Sequence, residues 1–283
     1  QDQGVMVGLV CIDVDGTLVG ASGNVPSNVW AATDRALAAG IRLAVCSGRP
    51  AFGVTRTFAE RLDATGWHIF QNGASVVQLP SFASRSASVA PEAVARMIQR
   101  ARSTGRVLEL YTDTEYAVES SSERARQHAA LLGVPFVARA FESLTGPVVR
   151  ALWLCDQSDA EETLREEHPG LELGPASSPA MPDTVFINTT AAGVNKAVSV
   201  KTVAAAYGVS LDRVMFVGDG QNDIGAMEAV GLSVAMGNAA PEVRAIARYQ
   251  VADVDEGGLV EALDLALRAY ARGGDQASSR RTT

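Results

Sequence analysis

Short apolar runs alternate with amphipathic segments along the first 89 residues. Val5 to Ile12 is a nearly continuous apolar run rich in β-branched residues, and Ile41 to Cys46 is a second such run. Runs of this kind are typical of strands that are buried on both faces of a parallel sheet. Between them, Asn28 to Ala39 has apolar residues at helical spacing, and Gly40 follows as a common helix stop. The pattern predicts strands and helices in alternation.

The alternation continues after the second strand. Ser47 and Pro50 are residues that often begin helices, so we expect a helix from this point through about Leu62. A third short strand is predicted at Ile69–Phe70, just before Asn72–Gly73, which is a strong turn signal.

The middle of the chain has a different pattern. In residues 90–186 the predicted helices are mixed with predicted hairpin strands, and a loop rich in Pro and Ser is expected from Gly174 to Pro182. This mixture predicts an α+β insert rather than more of the same sheet. Strand and helix alternation then resumes, so we expect an α/β domain built from residues 1–89 and 187–283, with residues 90–186 inserted as a second domain.

Charge and composition narrow the classes of function. Acidic residues outnumber basic ones by 32 to 24 and give a net charge of −8. Nucleic-acid-binding proteins usually have a basic excess or a basic stripe, so we expect no nucleic-acid partner. No apolar run approaches the roughly 18 residues of a membrane span, and we expect no membrane partner.

The cysteines and the N-terminus bear on the compartment. Cys11, Cys46 and Cys155 each lie in an apolar run, which is typical of buried free thiols in a reducing environment. The N-terminus lacks the basic flank and cleavage pattern of a signal peptide. We therefore expect a cytoplasmic protein.

Two acidic residues follow directly on the first predicted strand, in the segment Asp13–Thr17. Open α/β sheets bind ligands at the carboxyl ends of their strands, and two carboxylates in one small space need a cation or a proton between them. The alternative is an acidic turn that simply ends the strand. An EF-hand calcium loop is excluded, because the positions that need Gly and Glu hold Leu18 and Asn24.

A second polar segment, Gly218–Asp223, follows the predicted strand Arg213–Val217. A dinucleotide-binding loop would need a third glycine where Asp223 stands, and an acid there would repel a pyrophosphate. A hard metal such as Mg²⁺ explains the acids better, since it takes oxygen ligands. The alternative is a helix start that is capped by Asp219 or Asn222.

Two further segments suit an anion. Ser47–Arg49 follows a predicted strand and opens the predicted helix, where free N–H groups and a hydroxyl form an anion pocket; a plain helix cap is the alternative. Lys196 lies at the start of a predicted helix, where the helix dipole disfavours a cation. A lysine suits a phosphoryl group, whereas Lys201, within the same helix, is expected to be solvated.

These segments resemble, in order, the four motifs of the haloacid dehalogenase superfamily, and specifically its Cof-type branch (subfamily IIB) of cytoplasmic sugar-phosphate phosphatases. The motifs are Asp13-x-Asp15-Gly16-Thr17, Ser47-Gly48-Arg49, Lys196, and Gly218-Asp219-x-x-Asn222-Asp223. The turn at Asn72–Ala74 is also similar to that branch. The resemblance implies a doubly wound, mostly parallel, Rossmann-like α/β core and, at the position of the insert, an α+β cap of the C2 type.

The resemblance also implies a role for each motif residue. Asp13 would attack phosphorus and become an aspartyl-phosphate, while Asp15 would act as acid and then as base. The residues that would hold or orient Mg²⁺ are Asp13, Asp15 (through its backbone carbonyl), Asp219 and Asp223. The residues that would hold the phosphoryl group or the substrate are Thr17, Ser47, Gly48, Lys196 and Asn222. Ala197 stands where the family often has Gly, which a helix tolerates.

The expected function is therefore Mg²⁺-dependent hydrolysis of a small phosphorylated metabolite, such as a sugar phosphate. A phosphomutase of the same superfamily and a specificity of the mannosyl-3-phosphoglycerate phosphatase type stay open. A non-catalytic ligand-binding protein is a third class, which the intact acid pair disfavours. The cap is expected to select the substrate, with Tyr111, Tyr116 and Arg150 either as contacts or as packing residues. The sequence leaves the oligomeric state open.

Overall fold

The structure is a computed structural model, and it describes residues 6–178 and 180–279. The first part of the chain forms, in order, β1 (Leu9–Ile12), α1 (Ser27–Ala38), β2 (Arg42–Val45), α2 (Val54–Leu62), β3 (Trp67–Phe70), β4 (Ser75–Gln78) and β5 (Ala83–Ser84). Val5, the predicted start of the first strand, lies outside the described residues.

The middle and the last part of the chain each form a further set of elements. The middle forms α3 (Pro91–Thr104), β6 (Val107–Tyr111), β7 (Tyr116–Val118), α4 (Glu123–Leu132), β8 (Arg150–Cys155), α5 (Gln157–Arg165), β9 (Leu171–Ser178) and β10 (Met181–Ala191). The last part forms α6 (Lys196–Ala206), β11 (Val214–Gly218), α7 (Ile224–Ala229), β12 (Leu232–Ala235), α8 (Pro241–Ile246), β13 (Tyr249–Gln250) and α9 (Gly258–Ser279).

Five parallel strands form the core sheet, in the order β13-β12-β11-β1-β2. Alternate residues of β1 point to opposite faces of this sheet. Val10 and Ile12 pack in an apolar cluster with α1 and α9, whereas Leu9 and Cys11 pack in another with α6 and α7. Helices therefore cover both faces, which confirms the doubly wound α/β fold class.

The segment after β2 differs from its prediction, because α2 begins at Val54 and not near Ser47. The N–H of Ser47 donates to the carbonyl of Ile69 at 2.9 Å, and the carbonyl of Ser47 accepts from the N–H of Asn72 at 3.0 Å. Gly53, the residue before the helix, has a φ of 67°, which is not helical. The prediction that Ser47 opens a helix is therefore wrong, and residues 47–49 form a loop.

The insert forms an antiparallel sheet in the order β7-β6-β8-β10-β9, with α3 and α5 on one face and α4 on the other. The loop expected at Gly174–Pro182 is instead mostly strand, since Gly174 pairs with Asn188 and Pro175 with Ile187. The prediction failed here because β9 lies at the sheet edge and is largely exposed. An edge strand tolerates polar residues and proline, which otherwise indicate a loop.

The second boundary of the insert also differs from the sequence estimate. The boundary expected after residue 186 lies within β10, which continues in the sheet of the insert as far as Ala191. The register pairs Thr190 with Glu172 and Ala191 with Leu171. The sheet of the insert therefore reaches Ala191.

The insert is fixed to the core by polar and aromatic contacts. Phe52 of the core stacks on Tyr111 and Tyr116 of the insert, with ring centroids 6.2 and 6.0 Å apart. Asp113, between β6 and β7, accepts hydrogen bonds at 2.5–2.7 Å from three serine hydroxyls on the core side: Ser75, Ser84 and Ser86. These contacts close the insert over the carboxyl end of the core sheet.

Two further predictions concern the cysteines and the absence of a membrane span. The thiols of Cys11, Cys46 and Cys155 are free and buried, as predicted. Among the described residues, none of the helices has both the length and the apolar composition that crossing a bilayer requires. The cytoplasmic location stays a prediction.

Candidate active site

The acids of the first and last motifs meet because their strands are neighbours. Ile12, at the end of β1, lies opposite Val217 of β11, and the N–H of Asp13 donates to the carbonyl of Val217 at 3.0 Å. Asp219 follows β11 directly. The carboxyl ends of two adjacent parallel strands thus place both acids at the sheet edge where α/β folds bind ligands.

Lys196 joins two buried carboxylates. Its ammonium Nζ donates to Oδ1 of Asp13 at 2.9 Å and to Oδ1 of Asp223 at 2.7 Å. Lys196 is 1% exposed, Asp13 6% and Asp223 0%, so water screens this charge triad very little. Asn195 caps α6 by accepting from the N–H of Val198, which fixes the helix start that carries Lys196.

Asp223 differs from Asp13 in how its carboxylate is hydrogen-bonded. Its Oδ2 accepts from the N–H groups of Asp219 (3.1 Å) and Gly220 (3.0 Å), while its Oδ1 accepts from Lys196. Both oxygens therefore have donors within the protein. Among the described residues, no donor lies within hydrogen-bonding distance of Oδ2 of Asp13, so this oxygen is free for a ligand.

The electrostatics show an excess of negative charge. Burial raises the pKa of Asp13; Lys196 lowers it, and the neighbouring Asp223 and Asp219 raise it further. Burial also raises the pKa of Asp219 to about 6, although the hydrogen bond from Thr17 opposes the shift. Burial disfavours the charge of Lys196, but the two carboxylates outweigh it and hold its pKa above the ordinary value. One ammonium does not balance three carboxylates.

The residues present fit a divalent cation. Asp13, Asp219 and Asp223 each offer a carboxylate oxygen, and these oxygens lie within 4.8 Å of one another. Hard divalent cations take such oxygens, and their charge offsets the excess described above. The space is kept open by Gly16, whose φ is 82° and where a Cβ would lie 2.1 Å from Oδ2 of Asp219.

Asp15 lies outside this group of three carboxylates. Its carboxylate accepts from Nε of Arg49 at 2.9 Å and also from Nη2 of the same side chain. The side chain of Asp15 is 61% exposed, so it faces the open side of the site. This position suits a group that exchanges a proton with a substrate or with water, and Arg49 is the residue that holds it there.

The remaining predicted residues lie around the same sheet edge. The hydroxyl of Thr17 donates to Oδ1 of Asp219 at 3.0 Å, and the amide of Asn222 donates to Oδ1 of Asn72 at 2.9 Å. Ser47 is fully buried, and its Oγ accepts from the N–H of Arg49 at 3.0 Å. Thr17 therefore orients Asp219.

A cavity of about 350 Å³ lies between the core and the insert, next to Lys196. We call it the cap cavity. Its lining from the core includes Gln71, Asn72, Lys196 and Asn222. Its lining from the insert includes Arg150, Glu172, Asn188 and Thr190. The cavity thus extends from the buried charges of the core to polar side chains of the insert.

Comparison with known proteins identifies the family. The family model for haloacid dehalogenase-like hydrolases matches residues 10–263. The chain belongs to this family. YxeH of Bacillus subtilis, provisionally named a phosphatase, is 25% identical over 277 residues, which are 91% of this chain and 97% of YxeH.

Two solved structures are similar to this hydrolase over most of its length. A haloacid dehalogenase-like hydrolase from Bacteroides thetaiotaomicron is 27% identical with a TM-score of 0.78, covering 91% of this chain and 98% of that one. The subclass IIB sugar phosphatase BT4131 is 24% identical with a TM-score of 0.74, covering 91% and 98%. The predicted superfamily, and the prediction of an enzyme of its phosphatase type, are confirmed.

Sequence reasoning missed some residues of this hydrolase's site. Asn238 donates to the carbonyl of Gly16 at 2.8 Å and accepts from the N–H of Val254 at 2.9 Å, so it braces the first motif. Asn238 comes just after β12. Its position after a third core strand is the feature of the sequence from which it could have been predicted. Asn72 adopts a φ of 55°, as the turn signal at this position implied. That signal did not predict which residues the side chain of Asn72 contacts.

Replacing Lys196 by Met leaves Asp13 and Asp223 buried without their cation. We expect the free energy of unfolding to fall by about 3–5 kcal/mol, the usual cost of removing one partner of a buried ion pair. Urea unfolding of the metal-free protein at neutral pH measures this loss. Lys201→Met, on the exposed face of the same helix, is the control and should stay within about 0.5 kcal/mol of wild type. Equal losses in the two variants would show that Lys196 does not stabilise the buried carboxylates.

The raised pKa of Asp219 predicts how a divalent cation stabilises this hydrolase at different pH values. The folded protein holds a proton on Asp219 up to about pH 6, whereas the ordinary value is 3.8. The unfolded chain therefore binds fewer protons in this range, and the metal-free protein loses stability as the pH rises through it. We therefore expect added Mg²⁺ to raise the unfolding temperature much more at pH values above about 6 than at pH values below 3.8.

Differential scanning calorimetry with and without Mg²⁺ measures this difference. Asp219→Asn, which mimics the protonated side chain, should reduce both the pH dependence and the Mg²⁺ effect. An Mg²⁺ effect of the same size at all pH values, or one that Asp219→Asn leaves unchanged, would show that these carboxylates do not bind the ion.

Proposed function

We propose that this hydrolase is an Mg²⁺-dependent phosphatase that acts on a small phosphorylated metabolite, such as a sugar phosphate, with Asp13 as the nucleophile. The observation that carries the proposal is the position of Asp13. It is buried at the carboxyl end of β1, one oxygen is held by Lys196, and the other has no donor among the described residues. A carboxylate held in this way is oriented for attack.

In the first step, Oδ2 of Asp13 attacks phosphorus and forms a new P–O bond. The bond from phosphorus to the ester oxygen breaks, its electron pair stays on that oxygen, and Asp15 supplies the proton. In the second step, water attacks the aspartyl-phosphate, and the carboxylate of Asp15 accepts a proton from it. The P–O bond to Asp13 breaks, and phosphate leaves. Each proton that Asp15 loses is regained from water.

The other residues orient the reacting groups and balance their charge. Lys196 offsets the charge of Asp13 and of the phosphoryl oxygens, while Ser47, Gly48 and Asn222 contact those oxygens or the substrate. Asp13, the carbonyl of Asp15, and Asp219 would hold Mg²⁺, and Thr17 and Asp223 would orient these ligands through the bonds described above. Bound Mg²⁺ would neutralise negative charge on the transferred group.

The insert serves as the cap that selects the substrate. It covers the carboxyl end of the core sheet and provides about half of the residues that line the cap cavity. The partner of the protein is accordingly a small phosphorylated metabolite. We expect no nucleic-acid partner, in keeping with the net charge of −8.

Asp13→Asn should abolish Mg²⁺-dependent release of phosphate, because an amide oxygen is a poor nucleophile. The measurement is inorganic phosphate released from a panel of sugar phosphates and other small phosphate esters, with and without a chelator. Asp34→Asn is the control, since Asp34 lies on the surface in a pair with Arg61. A folded Asp13→Asn protein that keeps its turnover would refute the mechanism.

The same panel tests a phosphomutase, which would use the same nucleophile. A mutase needs a sugar bisphosphate for turnover and does not accumulate free phosphate. Release of phosphate from monophosphates without added bisphosphate therefore supports the phosphatase. Saturable binding without any turnover would favour a binding protein.

A further inference from the structure

The cap cavity contains a buried arginine that has no acidic partner. Arg150, the first residue of β8, is 7% exposed. Its Nη1 donates to the carbonyl of Gly48 at 3.1 Å, and its guanidinium lies over the ring of Tyr111 at 5.0 Å from the centroid. Its Nε has no hydrogen-bond partner, and no carboxylate of the described residues forms an ion pair with it.

Arg106 of the same insert is also buried, and it has the acidic partners that usually accompany a buried arginine. Its side chain is 4% exposed and pairs with three carboxylates, those of Asp159, Glu162 and Glu166. Burying a guanidinium is costly unless a negative charge and hydrogen bonds offset the loss of water. Arg150 is buried to a similar degree without an ion-pair partner, and burial lowers the pKa of its guanidinium although Tyr111 and Glu109 oppose the shift.

The acids near Arg150 are engaged elsewhere or exposed. Glu109, in the adjacent strand β6, accepts from the hydroxyl of Tyr111 at 2.5 Å and contacts Nδ1 of His128 at 2.8 Å. Glu172 lines the cap cavity but is exposed, and its carboxylate accepts from the N–H of Gly193 at 3.1 Å. Glu109 favours the charged guanidinium from a distance, but neither acid forms an ion pair with Arg150.

A second side chain of the cap cavity has an unused polar atom. Gln71 is fully buried, and its amide Nε2 donates to the carbonyl of Thr112 at 3.2 Å. Its Oε1 has no partner. Arg150 and Gln71 line the same cavity. Together they offer a cation and a hydrogen-bond acceptor to whatever occupies it.

We propose that the substrate carries a second anionic group, a carboxylate or a second phosphate, beside the phosphoryl group that is removed, and that Arg150 binds this second group. A hydroxyl near that group would donate to Oε1 of Gln71. The substrate class is therefore a phosphorylated hydroxy acid or a sugar bisphosphate. This inference rests on the proposed function, because it places the phosphoryl group at Asp13 and the rest of the substrate in the cap cavity.

The test compares esters that differ by one anionic group. The pairs are glycerol 3-phosphate with 3-phosphoglycerate, and glucose 6-phosphate with glucose 1,6-bisphosphate. Wild type should have the higher kcat/KM for the second member of at least one pair, and the pair that does so identifies the anion. Arg150→Met should lower kcat/KM about 10- to 100-fold for that member, the range expected for a lost hydrogen bond to a charged group, and change it little for the neutral member.

Two further variants separate charge from packing. Arg150→Lys keeps the cation and should retain part of the preference for the acidic ester. Arg124→Met is the matched control, because Arg124 lies on α4, donates to Thr184 and does not line the cap cavity. Arg124→Met should leave the preference intact. Equal preference of wild type for both members of each pair, or an equal loss on both members in Arg150→Met, would overturn the proposal.

Stability and binding give readouts that do not depend on turnover. Removing a buried cation that has no ion-pair partner should leave the unfolding temperature of Arg150→Met unchanged or raise it, whereas Arg106→Met should lower it. A clear destabilisation of Arg150→Met alone would indicate a structural cation. Calorimetric titration of Asp13→Asn with 3-phosphoglycerate and with glucose 1,6-bisphosphate tests the Arg150 contact even if no ester is hydrolysed. Absence of turnover in wild type then refutes the proposed function, and Arg150-dependent binding still supports the anion site.

Discussion

The site depends on one buried ammonium group. Lys196 bonds Asp13 and Asp223 in a region with almost no access to water, and without it two carboxylates would be buried side by side. The lysine lies at the first turn of α6, where the helix dipole disfavours it, so the two acids are the reason that its charge is tolerated there. This contact therefore joins the start of α6 to the segments that follow β1 and β11, and it links three of the four motifs.

The charge balance explains why the site needs a further cation. Asp223 has donors for both oxygens, while Asp13 and Asp219 keep raised pKa values because burial and mutual repulsion exceed the compensation from Lys196. Gly16 leaves the space that any larger residue would fill. Three carboxylates this close together, with a single ammonium among them, form a site for a hard divalent ion.

The sequence predicted the core better than the insert for physical reasons. Buried parallel strands form continuous apolar runs, so the edge with Asp13 and Asp219 was predicted from pattern alone. The strand β9 was missed because an exposed edge strand has the composition of a loop, and the late start of α2 depends on Gly53 and on backbone pairing of Ser47 with distant residues. The sequence could not predict that Arg150 lacks an ion-pair partner, because this depends on which residues meet in the folded protein.

The central claim is that Asp13 carries the phosphoryl group during turnover. Rapid acid quenching of the enzyme during hydrolysis of a reactive phosphate ester, followed by borohydride reduction, converts a phosphorylated aspartate to homoserine. Peptide mass spectrometry then locates the modified residue. We expect homoserine at position 13 in samples quenched during turnover and none without substrate. Modification at Asp15 alone, or turnover with no modified aspartate in any peptide, would contradict it.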